Sequence, residues 1–213
     1  TFLKFSDDTK TVHYEPFQRG AGEDVRQRLI ISPHEVGIEE IHPRLGLTIR
    51  ANVFTMAQSP VAGLIRRVEV TNTSTKTRRL EIVDGLPQVL PYAMNQWIVK
   101  FMSRTSEAFM RVEGLQDNWP LYRLKVWPTD SPQVEPVIAT HFFVGFLDGE
   151  RTQAIVDAEK VFGLAGDFSR AECFFSDTPL DLSRQVIGNQ TPSAFQTLTL
   201  TLAPGEQIGR AHV

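Results

Sequence analysis

Between Leu45 and Met56 the chain alternates. Leu47, Ile49, Ala51 and Val53 fall on one parity, and Thr48, Arg50, Asn52 and Phe54 on the other. A period of two over so long a stretch predicts a half-buried antiparallel strand. Leu64 to Val70 repeats the pattern, with Leu64, Arg66, Val68 and Val70 set against Ile65, Arg67 and Glu69. Thr73-Ser74-Thr75-Lys76 is polar and turn-like, and Arg79 to Val83 restarts a strand, so residues 61–84 read as a hairpin. Thr197 to Leu202 is the cleanest alternation in the chain. It stops at Ala203-Pro204-Gly205-Glu206, where Pro and Gly favour a turn.

Further strands are expected at Thr11–Tyr14, Arg28–Ser32, Val36–Ile41, Met110–Glu113, Tyr122–Trp127, Val137–Leu147 and Ala154–Val156. Eight prolines, from Pro33 to Pro204, sit near the proposed strand ends, where a missing N–H costs least. One stretch departs from the period of two. In Tyr92–Met110 the apolar positions Trp97, Ile98, Phe101, Met102, Ala108 and Phe109 recur at helical spacing and predict one short amphipathic helix. Many short strands, closely spaced turns and no polar linker together predict a single all-β sandwich domain over residues 1–213.

Composition narrows the function classes. The 213 residues are 41% hydrophobic and 22% charged, and the net charge is -3, so nothing marks a nucleic-acid or anionic-membrane partner. A chain of this length buries about 70% of its unfolded surface and needs no covalent staple. Its one cysteine, Cys173, cannot form an internal disulfide. No run of about 18 apolar residues occurs, and Thr1-Phe2-Leu3-Lys4-Phe5 lacks the pattern of a signal peptide. A cytoplasmic location is therefore expected.

Familiar catalytic motifs are missing. The sequence holds no P-loop, dinucleotide-binding glycine fingerprint, HExxH or GxSxG. Its five histidines show no metal-ligand spacing, so no metal site is expected. His34, His42 and His141 could join a carboxylate in a site of the sugar-mutarotase type, although isolated loop or strand histidines are the commoner outcome. Glu39-Glu40 is read as straddling the two faces of one strand, and Asp84-Gly85 and Asp148-Gly149 as serving turns. The sequons at Asn72 and Asn189 carry little without a secretory context. The tryptophans say more. Trp119-Pro120 and Trp127-Pro128 place indoles at strand ends, and Trp97 lies in the helical stretch. Sugar C–H faces stack on such rings, so Trp97, Trp119 and Trp127 are the candidate ligand-binding residues, set against ordinary core packing.

Several segments in order resemble one family. They are Ile38-Glu39-Glu40-Ile41-His42-Pro43-Arg44-Leu45-Gly46-Leu47-Thr48-Ile49, Ala62 to Ser74 with its Arg66-Arg67-Val68-Glu69-Val70-Thr71-Asn72-Thr73-Ser74, Asp84-Gly85-Leu86-Pro87, Phe162-Gly163, and Leu202-Ala203-Pro204-Gly205-Glu206. Together they resemble the N-terminal β domain of the cellobiose phosphorylase and cyclic β-1,2-glucan synthase family, that is, glycosyltransferase family 36, now glycoside hydrolase family 94. The resemblance covers most of residues 30–213. It implies a galactose-mutarotase-like supersandwich of two large antiparallel sheets with one or two short helices.

It further implies a larger parent in which a helical-barrel domain carries the catalysis, with inorganic phosphate as co-substrate. No catalytic residue and no cofactor is assigned to this chain. The segment would then be a non-catalytic domain that frames the sugar site and supports homodimerisation, with carbohydrate and the helical barrel as partners and neither nucleic acid nor membrane. The start at Thr1 and the stop at Ala211-His212-Val213 fit an excised N-terminal piece. The alternatives are a free-standing mutarotase-type epimerase and a carbohydrate-binding module alone.

Overall fold

The computed structural model describes residues 1–7, 10–20, 22–129, 131–164 and 166–212, without the side chains of residues 7 and 210–212. Val213, part of the chain end considered above, lies outside the described residues. In chain order the strands are β1 (Phe2–Asp7), β2 (Lys10–Tyr14), β3 (Arg26–Ile31), β4 (Glu35–His42), β5 (Leu47–Thr55), β6 (Leu64–Asn72), β7 (Arg78–Leu86), β8 (Met110–Glu113), β9 (Leu121–Leu124), β10 (His141–Phe142), β11 (Gly145–Leu147), β12 (Glu150–Arg151), β13 (Gln153–Ile155), β14 (Ala194–Leu202) and β15 (Gln207–His212). Two one-turn helices, α1 (Glu159–Phe162) and α2 (Glu172–Phe175), join them. The strands form a seven-stranded sheet in the order β12-β11-β15-β6-β5-β4-β3, a five-stranded sheet in the order β13-β14-β7-β1-β2, and a three-stranded sheet β10-β9-β8. The all-β architecture of two large antiparallel sheets follows the sequence expectation.

The chain divides into two compact units. The first holds Thr1–Val83, Gly145–Thr152 and Thr197–Val213. Its core is a sandwich. Leu3, Phe5, Leu80, Ile82, Leu198, Leu200 and Leu202 come from one sheet, and Leu47, Ile49, Ala51, Val68 and Val70 from the other. These are the apolar parities of the alternating segments. Each strand therefore turns one set of side chains inward and the other set out.

The expected hairpin over residues 61–84 does not form. β6 pairs with β5 and β15 in the seven-stranded sheet, and β7 pairs with β1 in the five-stranded one. The turn after Asn72 therefore crosses between sheets, and so does the turn joining β14 to β15. Asn72 holds both crossings. Its side chain is fully buried. Nδ2 donates to the carbonyls of Lys76 (2.8 Å), Leu202 (2.9 Å) and Ala203 (3.2 Å). Oδ1 accepts from the Ser74 N–H (3.1 Å) and hydroxyl (2.7 Å). Its main-chain N–H donates to the Glu206 carbonyl, and its own carbonyl accepts from the Gly205 N–H. The amide of this sequon is spent inside the fold. Beside it, Gly46 sits at φ +63°, and a Cβ there would lie 2.6 Å from the Ser74 Cβ, so only glycine fits.

A second polar joint closes one side of the sandwich. Glu40 is fully buried on β4. It accepts from the Tyr14 hydroxyl on β2, from the Phe17 N–H (2.7 Å) and from Gln27 Nε2 on β3 (2.8 Å). Glu39 points the opposite way and pairs with Arg28. The two acids straddle the strand as the sequence implies. Asp148-Gly149 also forms the expected turn, with both residues at positive φ. Asp84 does not: it lies within β7 and is fully buried.

The second unit holds Asp84–Val144 and Gln153–Gln196. Met110, Leu124 and Val137 form one small core, and Val112, Tyr122, Phe143, Val156 and Ala194 another. The Tyr122 hydroxyl donates to the Ser193 carbonyl at 3.0 Å. The expected helix over Tyr92–Met110 is broken. Ile98–Met102 forms a π-helical turn and Ser103–Phe109 a 3-10 turn. Ser103 at φ 46° and ψ -129° cannot continue a helix. The periodic residues do not share a buried face, since Trp97 and Phe101 are exposed and Ile98 is buried. The strand expected over Val137–Leu147 is also divided, into β10 and β11, which belong to different sheets.

Two predictions follow from these buried groups. Asn72→Ala removes five side-chain hydrogen bonds and strands several buried partners. It should cost about 3 kcal/mol, read as a lowered urea midpoint. Tyr14 and Tyr122 both have phenol pKa values pushed well above the ordinary range, Tyr14 by burial and then by its bond to Glu40, Tyr122 by burial. A raised folded-state pKa means that the unfolded state loses its proton first. The stabilisation is therefore whole below about pH 10 and falls as pH rises further. Urea titrations should show stability declining above that point, with Tyr122 alone contributing up to about 1.4 kcal/mol per pH unit. Tyr122→Phe should flatten that slope.

Candidate functional site

The outward parity of β5 and β6 lines a cleft. In the first unit, on the face of the seven-stranded sheet opposite the core, Glu35, Arg50, Asn52, Phe54, Arg67 and Glu69 enclose about 280 Å³. The register explains their meeting. Gly37 of β4 stands opposite Asn52, and Asn52 opposite Arg67. One step along the strands, Glu39 stands opposite Arg50, and Arg50 opposite Glu69. Outward residues two apart on each strand therefore fall into neighbouring rows.

The charges within this face are unevenly matched. Glu39 is taken by Arg28, whose Nε donates at 2.9 Å. Glu69 is taken by Arg67, with Nη2 at 2.5 Å. Arg50 lies in register between these two carboxylates, but its Nε donates to Asn52 Oδ1 at 2.8 Å. Among the described residues its terminal nitrogens have no partner, and neither do Asn52 Nδ2 and the Glu35 carboxylate. The cleft thus offers a fork of guanidinium donors, an amide donor, a carboxylate acceptor and the Phe54 ring. Its two arginines and two glutamates balance in charge. Donors and acceptors around a ring face, without net charge, suit a neutral polyhydroxyl ligand.

The sequence candidates lie elsewhere. Trp97, Trp119 and Trp127 all belong to the second unit and are 56%, 42% and 38% exposed. Trp97 packs against Phe101 with ring centroids 5.7 Å apart, and Trp119 against Phe142 at 6.5 Å. Trp97 and Trp119 are thus each tied to a phenylalanine, and all three indoles stay partly exposed. His34 and His42 do not share a site. His34 sits in the turn before β4 and His42 at the far end of that strand, about 26 Å away along an extended chain. His42 is buried edge-on to Tyr14, and its Nδ1 accepts from the Leu45 N–H at 3.3 Å. His141 belongs to the second unit, where its Nδ1 meets the Leu90 carbonyl at 3.2 Å.

The second unit contains a larger hollow of about 510 Å³ beside Asp157, Lys160, Cys173 and Arg184. Its buried carboxylate is already engaged, because Asp157 accepts from Val186 N (3.0 Å), Glu159 N (3.2 Å) and Gln190 Nε2 (3.4 Å). Among the described residues no cluster of His, Cys, Asp or Glu could hold a metal ion, and no helix is long and apolar enough to cross a membrane.

Sequence reasoning placed Arg50, Asn52 and Phe54 on the polar parity of a strand and went no further. A signal was present. An outward set of Arg, Asn and Phe on one strand facing Arg and Glu on the next is richer than a solvated face requires. A scan of the chain against protein families finds no match, and a search of curated proteins finds none.

Proposed function

We propose that this chain is a non-catalytic carbohydrate-binding β-sandwich, the N-terminal part of a glycoside phosphorylase-like enzyme. In this reading it helps to frame the sugar site and supports dimerisation of a parent that cleaves β-glucosides with phosphate. The observation that carries the sugar-binding part is the cleft over Arg50, Asn52 and Phe54. Its unspent donors and acceptor match vicinal hydroxyls, which accept from a guanidinium and donate to a carboxylate, while the Phe54 ring receives a C–H face. The two-sheet architecture and the ordered motifs support the placement within a larger carbohydrate-active protein. The exposed indoles of Trp97, Trp119 and Trp127 favour the second reading, a carbohydrate-binding module with no catalytic partner.

Titration calorimetry with glucose and cellobiose tests the site. Binding is expected, and Arg50→Ala should weaken it at least about tenfold, because charge-assisted hydrogen bonds are lost. The melting temperature of that variant should fall by only a few degrees, since of the removed nitrogens only Nε has a protein partner among the described residues, the half-exposed bond to Asn52 Oδ1. Unchanged affinity in Arg50→Ala would move the site elsewhere. With cellobiose and phosphate the chain alone should release no glucose 1-phosphate. Turnover by this chain would overturn the non-catalytic reading.

A further inference from the structure

Each strand that flanks the middle pair has one position on this face without a side chain, although Glu35 of β4 also lines the cleft. In the order β15-β6-β5-β4 these positions are Gly209 and Gly37, which belong to neighbouring rows and so lie diagonally across the cleft. Gly209 stands opposite Glu69, and Gly37 opposite Asn52. Neither glycine has a positive φ, so backbone conformation does not require glycine at either place. Glycine within a strand weakens the ladder and often marks a close approach by a ligand. A Cβ on Gly209 would meet Glu69 Cγ at 3.6 Å and Arg67 Nε at 3.7 Å, which is ordinary contact. A Cβ on Gly37 would lie 3.3 Å from Asn52 Oδ1, the atom that receives Arg50 Nε. The protein could hold a side chain at Gly209 without a clash. The absence of side chains at Gly209 and at Gly37, which stands between Glu35 and Glu39, opens the side-chain wall at those two points.

Three inter-strand spacings separate those openings, about 14 Å, which is longer than one sugar ring. Resting on the carbohydrate reading above, we propose that the cleft binds an extended neutral oligosaccharide laid across the strands. One unit lies over Phe54 and Arg50, and the chain leaves over Gly37 and Gly209. The net neutrality of the cleft selects against uronate and phosphorylated chains. The two glycines determine specificity for chain length, and they do so by leaving space rather than by making contacts.

Calorimetry with glucose and with β-1,2-, β-1,3- and β-1,4-linked glucose di- and trisaccharides tests this. In at least one linkage series, affinity should rise tenfold or more from glucose to trisaccharide. Gly37→Ala and Gly209→Val should each return the trisaccharide affinity toward that of glucose. Gly209→Val should leave glucose binding within twofold and the melting temperature near that of the parent chain, whereas Gly37→Ala also crowds Asn52 Oδ1 and should weaken glucose binding as well. Gly209→Val is the more secure variant, because a Cβ at that position meets only side-chain atoms, and those at ordinary distance. Glucose binding as tight as every trisaccharide, or trisaccharide binding unchanged in Gly209→Val, would overturn the proposal while leaving carbohydrate binding standing. If no saccharide of any length binds, the carbohydrate reading fails and this one with it.

Discussion

The sandwich of the first unit depends on one buried amide. Two sheets packed face to face need strands that leave one and enter the other, and each crossing exposes carbonyls and N–H groups that lose their ladder partners. Both crossings, after β6 and after β14, meet at Asn72. An asparagine suits the place because it offers donors and an acceptor on one short, rigid side chain. Its Nδ2 serves carbonyls of both turns, and its Oδ1 stops the chain at Ser74. Aspartate would set a charge against three carbonyls, and leucine would leave them bare. The Glu40 joint differs in kind. It is a buried carboxylate made tolerable by three donors, drawn from β2, β3 and the segment after β2.

With the crossings held, parity does the rest. Once Leu47, Ile49 and Ala51 face inward, Arg50, Asn52 and Phe54 have no choice but to share the outer face. Pairing with β6 then brings Arg67 and Glu69 beside them. The cleft is therefore a consequence of register. A one-residue slip would bury the arginines and dissolve the site together with the core. The unspent guanidinium arises in the same way. Arg50 lies between two carboxylates, each already held by another arginine, so its terminal nitrogens are positioned by neighbours that do not neutralise them.

Much of this was legible in the chain. The alternating runs at Leu45–Met56, Leu64–Val70 and Thr197–Leu202 became β5, β6 and β14 because strands buried on one face write their period into the sequence. Pairing partners were harder to read. A polar turn between two strands looks the same whether it returns within a sheet or crosses to another, so residues 61–84 read as a hairpin when they are a crossing. The stretch Tyr92–Met110 misled for another reason. Trp97, Phe101 and Met102 do recur at helical spacing, but the π turn and Ser103 shift the phase, and exposed aromatics carry the same letters as buried ones. The tryptophans offer only the stacking chemistry that any exposed ring has. Arg50, Asn52 and Phe54 were visible only as polar parity, because a site made by neighbouring strands has no signature in either strand alone.

The same geometry changes what the family resemblance can mean. Two of its most legible segments, Arg66 to Ser74 and Leu202 to Glu206, turn out to be the two halves of the Asn72 joint. The Glu206 carboxylate accepts from the Ala203 N–H at 2.7 Å and its carbonyl from the Asn72 N–H, while Leu202 receives the amide. A sandwich that crosses sheets twice at one corner must pair the backbone groups left bare there, and these residues do so. The motifs therefore speak for architecture, and they would do so with any ligand or with none. The functional weight rests instead on residues outside them or incidental to them: Arg50 and Asn52, whose polar atoms the fold consumes only in part, the Phe54 ring beside them, and Gly37 and Gly209, whose backbone does not ask for glycine. A group that the structure positions but does not use is the better guide to what the protein binds.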